Sequence, residues 1–334
     1  MIMQAVRRPT IPAEFYRSSV LGTTTFIIYA VSLYVVPASL CYMVAKSFDS
    51  VPLQIVLIIP PTIIAGYGLQ LMGFVGHEGF HLSLHRNKLV SVLLGLFFAS
   101  SVVTYFDTGA MMRHWSHHRF TNQPSDPDIQ ILAPLKTWWQ RLLFARLILN
   151  FHHFKTTLNT ALGRPWPFPY MMPFELATVR TLCWINFAFA LVWSGIYVGV
   201  TLYAPLAGLF SIALPMLVLL LISGCQSYID HGDTSHDPDD IFHNSWNRTS
   251  PLATALWFGA NYHLEHHLYP GVPCYRLPKV HKLLKERGIY EQVQVLTEPS
   301  FFRAYSKLAS DYTAGKKDSS FDPLKVATES ASTF

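Results

Sequence analysis

Charge is what this chain has least of. Asp, Glu, Lys and Arg make up 13% of its 334 residues, against 51% hydrophobic, where a soluble globular domain carries about 25% charged residues. That balance excludes a disordered chain and argues against an ordinary cytosolic enzyme. Cysteine is scarce as well. Cys41, Cys183, Cys225 and Cys274 are scattered with no C-x-x-C among them, which argues against a disulfide scaffold or a thiolate zinc site. A dinucleotide fingerprint is missing too, because Gly66-Tyr-Gly68 breaks off before a third glycine and lies in an apolar run.

Long apolar runs are present. A spanning helix needs about 20 mostly apolar residues, and residues 26–45, 51–76, 182–203 and 205–228 each supply such a run, the second containing Pro60-Pro61. Residues 89–106 form a shorter fifth run. If only the four longer runs span, Lys46 is the single one of the 25 Lys and Arg residues on the far side. The basic side then reads as cytoplasmic, and residues 89–106 as re-entrant or interfacial. The net charge of +5 is accounted for by this topology and by phospholipid headgroups, without nucleic acid. Residues 135–162 mix aromatic and basic residues as interfacial helices do. The polar tail 311–334 reads as disordered. The expected fold is therefore all-α and membrane-integral, with four spans in two hairpins, a helical cytoplasmic cap and one domain over residues 1–310.

Histidine is the residue in surplus, with 15 copies, most of them clustered. His77-Glu-Gly-Phe-His81 ends the second run, His114-Trp-Ser-His117-His118 lies in the central loop, and His263-Leu-Glu-His266-His267 falls in the C-terminal region. Spacings of three and four put side chains on one helix face, about 5–6 Å apart at Cβ, so that imidazoles can converge on a metal ion. Neutral imidazole suits zinc, copper, iron or nickel, so ligand type does not choose the metal. H-x-x-x-H arises by chance roughly once in two chains of this composition, whereas two copies of H-x-x-H-H arise in about one per thousand. His231 falls just past the fourth run, at the same interface as His77. Read alone, His77–His81 is also the H-E-x-x-H zinc-protease signature with Glu78 as general base, a reading that leaves both H-x-x-H-H clusters unused. A metal carrier would want ligands lining a path through the bilayer, and no histidine sits mid-run.

Three boxes in this order, with four spans, resemble the membrane fatty acid desaturase superfamily. The stretch Asn261-Tyr-His-Leu-Glu-His-His-Leu-Tyr-Pro-Gly-Val-Pro-Cys-Tyr and the stretch His117-His-Arg-Phe-Thr-Asn122, followed by Asp126-Pro-Asp128, are similar to its acyl-lipid members. The resemblance implies an O2-dependent enzyme with two iron ions on the cytoplasmic face of a bacterial inner membrane or endoplasmic reticulum. Its metal ligands would be His77, His81, His114, His117, His118, His263, His266 and His267, with His231 as a ninth. Some relatives carry an asparagine four residues before that last histidine, and Ser227 stands there in this chain. His85 continues the i+4 spacing and is expected to pack or to lie just outside the ligands.

Uncharged imidazoles leave a metal pair its full positive charge, so nearby carboxylates should matter as partners that orient the rings. Glu78, Asp126, Asp128, Asp230 and Glu265, together with Asn261, are the candidates. The expected reaction is desaturation of an acyl chain held in a narrow apolar tunnel. Hydroxylation or ketolation of a carotenoid, alkane or other lipid is the alternative, and an intramembrane zinc protease the more distant one. No H-P-G-G haem-domain signature follows the boxes. A separate ferredoxin or cytochrome b5-type donor is therefore implied, with Lys279, Lys282, Lys285 and Arg287 as a docking surface for an acidic carrier. His152, His153, His236, His243 and His281 fit no box and read as structural or surface residues.

Overall fold

The computed structural model describes residues 7–224 and 226–306; the tail expected to be disordered lies outside them. Four helices are long and apolar enough to cross a membrane: Val20–Ser47 (α1), Val51–Phe80 (α2), Leu176–Tyr203 (α7) and Pro205–His231 (α8). An unbroken helix is what such runs must form, because hydrocarbon offers no partner for a free backbone amide or carbonyl. The caps are ordinary ones. Ser19 accepts from the Gly22 amide at the start of α1, and Pro52 occupies the first turn of α2, where its missing N–H costs nothing. Bulky apolar side chains such as Ile28, Val36 and Met43 on α1 and Leu191, Val198 and Leu202 on α7 point outward, toward lipid.

The helix Lys88–Ala99 (α3) has 12 residues, about 18 Å of helix, short of a hydrocarbon core of about 30 Å. It lies against α2, with Gly79 and Gly95 facing each other: a Cβ on Gly95 would sit 2.9 Å from the Gly79 Cα. Helix α1 packs along α2 just as closely. After its junction with α7, α8 makes its main contacts with α2 and with Trp138–Ala161 (α6). Near its start α8 contains a π-helical stretch, Gly208–Ala213, tied to α1 by Tyr34 Oη donating to the Ser211 carbonyl and by Ser211 Oγ donating to the Ala38 carbonyl.

Asp107–Phe120 (α4) and Pro127–Leu132 (α5) lie over the ends of α2 and α6. Helix α6 starts on a capping box between Thr137 and Gln140. It turns Trp138, Trp139, Phe144 and Phe151 outward while burying Arg141, whose guanidinium carbon lies 4.0 Å from the Tyr228 ring centroid. Beyond α8 come the short helices Pro251–Leu256 (α9), His263–Leu268 (α10), Leu277–Glu286 (α11) and Ile289–Val293 (α12). The N-terminal segment is tacked across this cap: the Tyr269 hydroxyl donates to the Pro9 carbonyl, and Arg276 and Arg287 donate to the carbonyls of Glu14 and Thr10. Among the described residues only isolated bridges, Asn247 with Tyr262 and with Thr297, have β character.

The α1–α2 contact depends on glycine. A Cβ on Gly68 would lie 2.3 Å from the Tyr34 amide nitrogen and 2.4 Å from the Leu33 carbonyl carbon, so rigid backbone would have to move. Gly68→Ala should destabilise the detergent-solubilised protein by about 1–3 kcal/mol. Gly195→Ala, on the outer face of α7 with nothing within 4 Å, should leave the melting temperature unchanged or slightly raised.

Candidate metal centre

Helix α2 ends with His77 and His81 one turn apart, α8 ends on His231, and α4 and α10 carry the other two boxes. The packing gathers these nine rings into two adjoining sets. In the first, His77, His81, His114, His118 and His266 each present a nitrogen, all within 4.8 Å of one another. The Nε2 atom of His77 lies 2.9 Å from that of His114 and 3.1 Å from that of His266, and the His118 Nε2 lies 2.9 Å and 3.0 Å from the same two. In the second set the Nε2 of His231 lies 3.1 Å from that of His117 and 2.9 Å from that of His263, and His263 lies 3.2 Å from His267.

Each H-x-x-H-H box is divided between the sets, in opposite senses. On α4 the i,i+4 pair His114 and His118 serves the first set and His117 the second. On α10 the i,i+4 pair His263 and His267 serves the second and His266 the first. At about 100° of helix rotation per residue, adjacent residues such as 117 and 118 leave the helix in clearly different directions. A helix wedged between two sites can therefore feed both, which the spacing of a box alone does not reveal.

The donor set fits metal ions. A neutral imidazole has one donor and one acceptor nitrogen, so the four mutually facing Nε2 atoms of His77, His114, His118 and His266 cannot all be satisfied by one another. Both nitrogens of His81 and the Nδ1 atoms of His118 and His266 are buried without a hydrogen-bond partner. Burial, reinforced by neighbouring imidazoles, pushes His81, His114, His118, His263, His266 and His267 below the usual histidine range. The rings therefore stay neutral with lone pairs available for coordination.

Among the candidate carboxylates the structure separates two roles. Asp126 accepts from His117 Nδ1 at 2.7 Å and from the Asn122 and Asp128 amides. Burial works against a charged His117, but Asp126 prevails and raises its pKa. Glu78 accepts from His77 Nδ1 at 3.3 Å through Oε1, and through Oε2 from Ser83 Oγ and the Cys274 amide. Both Glu78 oxygens are thus occupied in holding protein, which does not suit the general base of a zinc protease. The other candidates hydrogen-bond to none of the nine rings, although an Asp128 oxygen lies within 4.8 Å of a His117 nitrogen. Glu265 accepts from Asn247 Nδ2, His281 Nδ1 and the Tyr290 hydroxyl, fixing α10 against α11 and α12. Asp230 accepts from Gln226, Asp128 lies 3.8 Å from Arg113 Nε, and the Asn261 amide donates to the Arg248 carbonyl.

Sequence reading did not anticipate the neutral supports. His231 Nδ1 donates to the Asn244 carbonyl at 2.9 Å, and Thr121 Oγ1 lies 3.3 Å from His267 Nδ1. Asn122, at a φ of 61°, donates through Nδ2 to Thr234, Ser235 and the same Asn244 carbonyl. Its place in the motif after His118 was the available signal. His85 joins neither set; its Nδ1 accepts from the Asn87 amide in a surface recess shared with Arg17, Arg86 and Lys88. His281 has a definite structural role through Glu265, and His153 lines a cavity beside the site.

The sequence matches the family described as "Fatty acid desaturase" over residues 54–298, which takes in all nine histidines. The chain belongs to this family. It is 26% identical over 250 residues to a Delta(8)-fatty-acid desaturase of Euglena gracilis, covering 65% of this chain and 58% of that protein. It is also 26% identical over 219 residues to a zeaxanthin 4-ketolase of Chlamydomonas reinhardtii, covering 63% of this chain and 40% of the relative. A fatty acid desaturase 2-like protein of Mus musculus is 23% identical over 253 residues, covering 68% of this chain and 50% of the relative. The chain thus spans about half the length of these curated relatives.

In this desaturase-family site, Asp126→Asn would leave His117 without its charged acceptor. Metal affinity should fall about 10–100-fold in a competition titration with a chelator, while Asp239→Asn, exposed on the cap, should change nothing.

Proposed function

We propose that this chain is a di-iron, O2-dependent desaturase that introduces a C=C bond into a lipid acyl chain, on the cytoplasmic face of a bacterial inner membrane or of the endoplasmic reticulum. The observation that carries the reading is the division of both H-x-x-H-H boxes between adjoining sets of imidazoles. One ion would be held by His77, His81, His114, His118 and His266, the other by His117, His231, His263 and His267. Iron bound there would supply, with O2 and donated electrons, the oxidising power to take hydrogen from an unactivated C–H bond, which side chains lack.

The chain's own residues do the rest. Asp126, Glu78 and the Asn244 carbonyl hold Nδ1 of His117, His77 and His231, so that Nε2 of each ring is the free ligand atom. Burial of the rings keeps bulk water from the reacting carbon. Electrons come from a separate ferredoxin or cytochrome b5-type carrier docking on the exposed Lys279, Lys282 and Lys285 of α11. Arg287 contributes less to that surface, since it is engaged with the Thr10 carbonyl. Hydroxylation or ketolation is the second reading, supported by the ketolase relative and by a partly polar cavity beside the site.

Metal analysis tests the core of the proposal. The purified protein should carry about two irons, falling to about one in either His81→Ala or His267→Ala, since these rings stand in different sets. A single zinc retained in His267→Ala would overturn it. Mass spectrometry of lipids from expressing cells should then find loss of two hydrogens, whereas gain of an oxygen would establish the second reading. Lys279→Glu combined with Lys285→Glu should raise KM for an acidic electron donor about tenfold at low ionic strength and little at high salt, with metal content unchanged.

A further inference from the structure

A cavity of about 180 Å³ adjoins the two histidine sets, with His77, His114, His117 and His263 on one wall. The rest of the lining is mixed, with apolar side chains such as Leu69, Phe74, Met111 and Leu149 interrupted by polar ones. Gln70 of α2, Tyr105 ahead of α4, Asp128 of α5, and Arg146 and His153 of α6 are among the latter. Gln70 Oε1, Asp128 Oδ1, Arg146 Nε and His153 Nδ1 are buried there without a hydrogen-bond partner. Arg146 is fixed in place, its guanidinium carbon 4.6 Å from the Tyr105 ring centroid, and Tyr105 stands edge-on to His153 with centroids 5.6 Å apart.

Water can satisfy these groups while the cavity is free of ligand. A hydrocarbon would displace that water and give nothing back, weakening binding about tenfold for each group stranded. A neutral ligand atom suits the cavity, because acidic groups already lie beside the cations: Arg113 Nε is 3.8 Å from Asp128 Oδ1, and Arg146 interacts with Tyr105, Asp107 and Asp128. A carboxylate would meet those same acids. The cavity offers both an N–H donor at Arg146 and an acceptor oxygen at Gln70, and a hydroxyl is a small neutral group that accepts and donates through one atom.

We infer that the substrate carries a hydroxyl group near the carbon that is oxidised, and that Arg146, Tyr105 and Gln70 receive it in this cavity. The inference rests on the oxidoreductase reading of the histidine sets but fails separately from it. The iron-loaded protein in detergent is titrated with matched probes, zeaxanthin against β-carotene and methyl 12-hydroxystearate against methyl stearate, and protection from thermal unfolding is followed. In at least one pair the hydroxylated member should protect at about tenfold lower concentration. Arg146→Met should reduce that preference to below about threefold. Gln70→Leu, which removes an amide whose oxygen has no partner and so should not impair folding, should do the same while hydrocarbon binding holds or tightens. Equal protection by both members of both pairs overturns the inference, as does full preference in both variants. Loss of iron from the wild-type protein would instead overturn the oxidoreductase reading.

Discussion

The structure depends on holding nine imidazoles within a few ångströms of one another, away from water. Ring nitrogens that close cannot satisfy each other, since each neutral ring has a single N–H and a single lone pair to offer. The arrangement makes physical sense around metal ions, with the surrounding protein supplying fixed orientation. That orientation comes from outside the rings, from Asp126 behind His117, Glu78 behind His77 and the Asn244 carbonyl behind His231. Each support is in turn held by backbone amides or by a neighbouring side chain, so the ligand sphere is braced at two removes.

The membrane helices serve that arrangement. Helices α2 and α8 end with histidine at the same level, and glycines in α2 let α1 and α3 approach it backbone to backbone. Hydrocarbon gives no hydrophobic gain for helix association, so close packing and hydrogen bonds such as Tyr34 to Ser211 have to hold the spans together. The cap is built on the reverse principle, with polar side chains buried. Glu265 gathers Asn247, His281 and Tyr290 into one joint and so fixes the third box against the helices behind it. The division of each box between two sites follows from α4 and α10 being wedged between them. Shifting either helix would disturb both sets at once.

The four long apolar helices and the clustering of the histidines were legible in the sequence because both are local. A run of apolar residues and an i,i+4 pair carry their meaning wherever the chain folds. Residues 54–298 also match the fatty acid desaturase family. His231, outside the three boxes, was findable by its position just past an apolar run and by the family resemblance. The candidate carboxylates were less legible: Asp126 and Glu78 hydrogen-bond to rings of the two sets, whereas Asp128, Asp230 and Glu265 do not, although all five lie within four residues of a box or of a clustered histidine, or follow one in the same motif. Nearness in sequence does not specify which way a carboxylate turns.

By itself the sequence determined a helical chain with four long apolar runs and clustered histidines, because hydrophobic length and helical periodicity are properties of short segments. Tertiary structure alone decided which ring joins which set, that Asn244 and Thr121 support them, and that the cavity beyond is lined by Gln70, Tyr105, Arg146 and His153. Those residues are drawn from segments scores of positions apart, and only the crossing of α2, α4, α6 and α8 makes them neighbours.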